Sequence, residues 1–291
     1  MTNTSRIEQA LEALVSGAGR PGCPPELAKA LRYAVFPGGA RVRPRLTLAV
    51  AAACGDDRPA MTDAAAAAVE LLHCASLVHD DLPCFDNANL RRAKPTVHVA
   101  FGEPIALLAG DGMIVMAFEA LARAAVVSGA VERLPRVLKI IARGVGAPGG
   151  LVAGQAWESE ATIDLDRYHD AKTGALFVAA TMAGAAAAGA DPTPWRALGA
   201  NLGAAYQTAD DLLDAVSSGD EAQKPTGQDR AHGRPSAVAE FGVQGALARL
   251  QAQVQAAVNA VPDCPGAQDL RDLVRMQASR LTPKSLARSA A

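Results

Sequence analysis

Apolar residues recur at three- and four-residue steps along most of this chain, and no stretch alternates convincingly in the manner of a strand. That period predicts helices over residues 46–54, 61–81, 107–127, 134–145, 150–156, 166–188, 195–215 and 245–261. Residues 21–25, rich in proline, end a first helix, and Phe36-Pro37-Gly38-Gly39 makes a turn before Arg41-Val42-Arg43-Pro44 opens the next apolar segment. Residues 217–236 break the pattern with glycine, proline, aspartate and lysine. They are expected to form a loop, long enough at about 20 residues to suggest closure over a site. The pair Asp56-Asp57 beside Arg58-Pro59 is expected to be a solvated turn.

Composition turns the pattern into a fold class. Half of the 291 residues are hydrophobic, only 4% are aromatic, and alanine runs at 64–68 and 185–188 favour closely packed helices. The expectation is all-α, with one large helical core and two average domains both compatible with the length. A net charge of -2 without a basic run leaves no electrostatic footprint for nucleic acid. Five scattered cysteines lack CxxC spacing and read as reduced residues. Residues 1–19 carry Glu8 and Glu12 among their apolar positions and lack the core of a signal peptide. No uncharged apolar stretch of 18 residues reads as a membrane span. The expectation is a soluble cytoplasmic protein with no integral membrane segment.

Candidate chemistry sits at two places about 130 residues apart: Asp80-Asp81 with Asp86, and Asp210-Asp211 with Asp214. Carboxylates at one-turn spacing repel each other unless a cation sits between them, and an all-oxygen donor set suits magnesium rather than zinc. Asp210 and Asp214 are one helical turn apart. Asp86 in a regular helix would be rotated about 240° from Asp80, so a bulge or kink permitted by Pro83 is expected to swing it back. Two such sets suggest one metal cluster gripped from both sides. Cations follow each set: Arg91, Arg92 and Lys94 after the first, Lys224 and Arg234 after the second, with Lys172 between. Carboxylates, magnesium and guanidinium forks together point to a diphosphate. The absence of GxxxxGK[ST] argues against an ATPase.

These motifs carry a resemblance. His79-Asp80-Asp81-Leu82-Pro83-Cys84-Phe85-Asp86 followed by Leu90-Arg91-Arg92-Ala93-Lys94-Pro95-Thr96 resembles the first aspartate-rich motif of the trans-isoprenyl diphosphate synthases. Gln207-Thr208-Ala209-Asp210-Asp211-Leu212-Leu213-Asp214 resembles their second, and Gly38-Gly39-Ala40-Arg41-Val42-Arg43-Pro44, Gly154-Gln155, Lys172-Thr173-Gly174 and Gly227-Gln228-Asp229 fall in the family's order. Within the family, the bacterial synthases of carotenoid pathways that make geranylgeranyl diphosphate are the most similar.

The resemblance implies an isoprenoid synthase fold, a single-domain helical bundle around a central cavity spanning residues 1–291, and a homodimer. It implies magnesium-dependent ionisation, condensation and elimination that joins isopentenyl diphosphate to dimethylallyl, geranyl or farnesyl diphosphate. The catalytic set it implies is Asp80, Asp81, Asp86, Lys172, Thr173, Gln207, Asp210 and Asp211. Asp80, Asp81, Asp86, Asp210 and Asp214 would hold about three magnesium ions. Arg91, Lys172, Thr173, Gln207 and Lys224 would contact the allylic diphosphate, and Arg43, His73 and Arg92 the isopentenyl diphosphate. Small residues at Ala75 and Ser76, where relatives with a fifteen-carbon product tend to carry an aromatic residue, imply a twenty-carbon product; a deeper floor would come from Leu71, Leu72, Met116 or Phe118. The alternatives are a farnesyl diphosphate synthase and a non-catalytic subunit. The latter is motivated by Ala40, where the family usually has lysine; either Arg41 or Arg43 offsets the loss, or affinity for isopentenyl diphosphate is lower.

Overall fold

A computed structural model describes residues 2–19, 21–36, 38–216, 236–279 and 281 of the chain. Among them, helices dominate as expected, and the strands are a two-residue hairpin, β1 (Leu90–Arg91) and β2 (Lys94–Pro95). The chain divides into two compact units, Met1–Ala142 with Ala179–Pro192, and Arg143–Val178 with Thr193–Ala291.

The first unit contains α1 (Asn3–Ala18), α2 (Pro25–Val35), α3 (Val42–Ala53), α4 (Pro59–Asp80), α5 (Val97–Phe101) and α6 (Glu103–Ser128). Pro59 opens α4 where a missing N–H costs nothing. The alanines at 64–68, with Val69, Leu71, Leu72 and Ala75, are buried, and α6 answers with Ala106, Ala109, Gly110, Met113 and Ala117. Such small residues let helix axes approach closely. Helix α1, whose first turn is capped by the Thr2 side chain accepting from the Ser5 N–H, is latched to α4 by charge: the Arg6 guanidinium donates to Asp63 at 2.8 Å and to Asp56 at 3.0 Å. Asp56 is therefore no solvated turn residue. Its side chain is 11% exposed and also accepts from Thr62, while Asp57 takes a two-pronged contact from Arg133.

Helix α7 (Leu134–Val145) leads into the second unit, which holds α8 (Leu151–Trp157), α9 (Leu165–His169), one π-helical turn over Asp170–Gly174, the start of α10 (Ala175–Ala187), α11 (Arg196–Val216), α12 (Ala237–Asn259) and α13 (Ala267–Ala278). The predicted single helix over 166–188 is thus interrupted at the π turn. Helix α12 begins eight residues before the expected position 245, because the Ser236 side chain caps it by accepting from the Ala239 N–H, and it kinks at Gly242 with φ +66°. Ala205, Ala209 and Leu212 of α11 form a core with Ala246 and Leu250 of α12. The sequence pattern did not predict α13, whose overall polarity hides the buried stripe of Ala267, Leu270, Val274 and Ala278. Of the expected loop at 217–236, residues 217–235 lie outside those described.

Among the described residues, two helices, α4 and α6, are long and apolar enough to cross a membrane. The apolar stretch of α4 is 78% buried within the protein and that of α6 only 39%. The first is a core helix, whereas the second leaves Leu107, Leu108, Val115, Val126 and Val127 exposed.

Candidate active site

Helix α4 does not run through the first aspartate group; it stops at Asp80. A nest of backbone bonds then folds the chain back: the Leu82 N–H donates to the His79 carbonyl, the Asp86 N–H to the Asp80 carbonyl at 3.0 Å, the Asn87 N–H to Leu82 and the Ala88 N–H to Asp81. This returns Asp86 to Asp80 by a tight turn with Asn87 in the left-handed region (φ +48°), where the sequence suggested a bulge or kink permitted by Pro83. Carboxylate oxygens of Asp80 and Asp86 lie within 4.8 Å of each other. Magnesium binds oxygen at about 2.0–2.1 Å, so opposite ligands stand about 4.2 Å apart. Carboxylates so placed could share one ion, and the all-oxygen donor set fits magnesium.

Asp81 has a different environment. It is 3% exposed, and both its oxygens accept from Arg91: Nε at 2.8 and 3.0 Å, and one terminal nitrogen at 2.7 Å. The same guanidinium is 3.6 Å from Asp80. Burial works against the charge on Arg91, and the Asp81 contacts more than offset it, holding Arg91 firmly cationic. Arg91 is placed by the β1–β2 hairpin, whose two-residue turn is Arg92-Ala93. Both residues have positive φ (+52° and +58°), as a type I′ turn demands, although neither is the glycine or asparagine that adopts it readily. Thr96 braces the far end, its hydroxyl donating to the Ala88 carbonyl at 2.7 Å.

Arg43, His73 and Arg92 converge within the same unit. An Arg43 terminal nitrogen is 3.4 Å from His73 Nε2. Burial first, then the guanidinium groups of Arg43, Arg92, Arg91 and Arg41, push the His73 imidazole well below the usual histidine range. Neutral His73 can then accept from Arg43 through Nε2. Arg92 donates to the Gly38 carbonyl and lies against Gly39, where a Cβ would stand 2.9 Å from the guanidinium. Gly38-Gly39 therefore makes space for a cation, which explains the glycines in that motif. Ala40 is exposed. Arg41 does not offset the missing lysine, because its guanidinium is committed to Glu8, Glu70 and the Val35 carbonyl.

A contact invisible in the sequence sits beside the first aspartates. A Cβ on Gly110 of α6 would stand 2.0 Å from His79 Nε2. The bare backbone there seats the imidazole, which also meets the Leu107 carbonyl at 3.3 Å and Asp111 at 3.8 Å. Of the proposed chain-length residues, Ala75 is 1% exposed and Ser76 bonds its hydroxyl to the His73 carbonyl at 2.8 Å.

In the second unit, Asp210 is exposed and Asp214 half-buried, but Asp211 is buried. One Asp211 oxygen accepts from Gln207 at 2.9 Å and the other from the Ala237 N–H at 2.7 Å, where α12 begins. Gln207 in turn accepts from the Thr173 hydroxyl at 2.8 Å. Thr173 and Lys172 ride on the π turn, a distortion that often marks functional positions. Two glycines admit it: a Cβ on Gly154 would stand 2.3 Å from the Lys172 nitrogen, and one on Gly203 2.7 Å from the Gly174 Cα. Lys172 donates to Glu158, which also accepts from the Tyr168 hydroxyl at 2.6 Å. Lys224, Gln228, Asp229 and Arg234 lie outside the described residues.

In both aspartate groups the second residue is thus buried and bonded to protein, whereas the first and last are nearer to solvent. The sequence model of the polyprenyl synthetase family matches residues 24–270. The chain is 53% identical to a geranylgeranyl diphosphate synthase of Cereibacter sphaeroides, over 99% of both chains. It is 50% identical to one of Rhodobacter capsulatus, over 97% of this chain and 96% of the other. A geranyltransferase from Helicobacter pylori, solved with magnesium and isoprenyl diphosphate, superimposes with a TM-score of 0.78 at 28% identity, covering 96% of this chain and 98% of that one.

Proposed function

The chain belongs to the polyprenyl synthetase family, and on that premise we propose that it is a geranylgeranyl diphosphate synthase, a trans-prenyltransferase that lengthens allylic diphosphates with isopentenyl diphosphate. The observation that carries the reading is a separation of charge within the first unit. Asp80 and Asp86 form a carboxylate pair spaced for a cation, while the charges that depress His73 are all guanidinium groups. The pair suits the diphosphate that must leave, and the cationic group suits the diphosphate that stays.

Magnesium, when bound, supplies positive charge that stabilises the departing diphosphate; the family's dependence on it and the carboxylates both support its use here, at about three ions per site. Asp80 and Asp86 in the first unit, and Asp210 and Asp214 in the second, are the ligands we assign. Asp81 we assign as the anchor of Arg91, and Asp211 as the anchor of Gln207. Arg91, held by Asp81, directs its fork at phosphate oxygens; Lys172 and the Thr173–Gln207 pair are assigned to the same allylic substrate. Arg43, neutral His73 and Arg92 bind isopentenyl diphosphate, with one cation fewer than the family norm at Ala40.

In the reaction the allylic C–O bond breaks and its electron pair leaves with diphosphate. The double bond of isopentenyl diphosphate forms the new C–C bond, and a proton departs to the released diphosphate. No side-chain nucleophile takes part. Small Ala75 and Ser76 support growth to twenty carbons.

We further propose a cytoplasmic homodimer. Leu108, Val115 and Val126 are exposed on α6 and fall within about 20° of one line at 100° per residue, with Glu119 along it. An apolar stripe of this kind marks an association surface. Incubation of the purified chain with magnesium, isopentenyl diphosphate and each allylic diphosphate in turn tests the assignment. The expected product is geranylgeranyl diphosphate; accumulation of farnesyl diphosphate, or no elongation without a second protein, would refute it.

A further inference from the structure

Two rungs join the start of α3 to α4. Arg41 donates to Glu70 at 2.8 Å, and Arg43 meets His73 at 3.4 Å. Glu70 and His73 are three residues apart on α4, one turn on a single face, and Arg41 and Arg43 are separated by a single residue. The first rung is built to be rigid. Arg41 is the N-cap of α3 in the left-handed region, φ +48° and ψ +41°, a conformation unusual for a residue with a side chain. Its guanidinium is 3% exposed and its nitrogens are all engaged: Nε donates to Glu8 at 2.8 Å, one terminal nitrogen to Glu70, and the other to the Val35 carbonyl at 2.7 Å. An arginine so enclosed does not reach substrate.

We propose that Arg41 is a positioning residue for the isopentenyl diphosphate subsite: its ion pair with Glu70 holds the left-handed turn that brings Arg43 into register with His73, and Glu8 of α1 closes the outer side. This rests on the assignment of Arg43, His73 and Arg92 to that substrate. Released from Glu70, residue 41 loses the restraint that opposes its unfavourable φ, and the peptide leading to Arg43 rotates with it. A shift of well under 1 Å suffices to spoil a phosphate contact, since productive sites tolerate about 0.5 Å.

The test compares Glu70→Gln with Arg6→Ala. Arg6 fastens α1 through Asp56 and Asp63, so its loss lowers thermal stability and reaches Arg41 only by way of Glu8 on the same helix, with an effect on the subsite no larger than that of Glu8→Gln. Glu70→Gln is expected to raise the KM for isopentenyl diphosphate about tenfold, leaving kcat and the allylic KM within about twofold. Glu8→Gln keeps the buried pair and is expected to raise it about threefold, which preserves the test should Glu70→Gln not fold. Calorimetric titration with isopentenyl diphosphate alone is expected to show the same ratios. The inference is overturned if Glu70→Gln and Glu8→Gln lower stability as Arg6→Ala does but leave the KM for isopentenyl diphosphate unchanged. A parent protein that fails to use isopentenyl diphosphate at all would overturn the enzymatic assignment instead.

Discussion

Asp81→Asn removes one charge while nearly preserving shape, and it separates the two roles that the first aspartate group combines. Three N–H contacts at 2.7–3.0 Å tie Arg91 to Asp81. Deleting a hydrogen bond to a charged partner costs about 1.5–3 kcal/mol. The three contacts share one carboxylate, and the Arg91 side chain is 34% exposed, so solvent screens part of the interaction. A net loss of about 2 kcal/mol in fixing the guanidinium is reasonable, made certain in sign because the asparagine amide turns a donor toward donors. Expressed fully in the transition state, that is about a 30-fold fall in kcat/KM. Steady-state kinetics with a magnesium titration provides the assay. Asp81→Asn should leave the magnesium midpoint within about twofold, whereas Asp80→Asn and Asp86→Asn should raise it and lose about 1000-fold in rate. Combining Asp81→Asn with Arg91→Lys should cost little more than the worse single change, as for residues acting as one unit. An Asp81→Asn midpoint displaced as far as that of Asp80→Asn would refute the anchoring role and make Asp81 a ligand.

Three further outcomes follow from other contacts. Gly110→Ala places a methyl 2.0 Å from His79 Nε2, so it should swing the imidazole out of its seat and lower stability by about 1–3 kcal/mol; in a His79→Ala background the same change should cost less, which denaturant titrations of the pair would show. Ala75→Phe should shift the product from twenty to fifteen carbons in a chromatographic product assay, and an unchanged product would place the floor elsewhere. His73 has a depressed folded-state pKa, so below about pH 6.5 the unfolded chain takes up a proton that the folded chain refuses. Stability should therefore fall on acidification through that window, by at most about 1.4 kcal/mol per pH unit, and denaturant titrations of His73→Gln should show a flatter slope.

The helices that carry the aspartates were legible because their apolar stripes are strong, and the motifs were legible because they occupy a short stretch of chain. The neighbours that divide labour among those aspartates were not. Asp81 and Asp80 look alike in sequence; only the hairpin that delivers Arg91 distinguishes them, and a two-residue strand pair has no periodicity to detect. Asp56 appeared solvated because its partner, Arg6, is 50 residues away. The π turn at Asp170–Gly174 keeps the apolar pattern of an α-helix on both sides, so nothing in composition reveals it. Arg41 was a plausible substitute for the missing lysine until its carboxylate partners on α1 and α4 were in view.

The sparsely covered helix α6 has a thermodynamic consequence. If α6, a 26-residue helix only 39% buried over its apolar stretch, packs on a copy of itself as proposed, part of the folding free energy comes from that meeting and dilution acts as a mild denaturant. The melting temperature should then climb with protein concentration. In such a dimer, assembly as well as sequence would set how long each active chain survives.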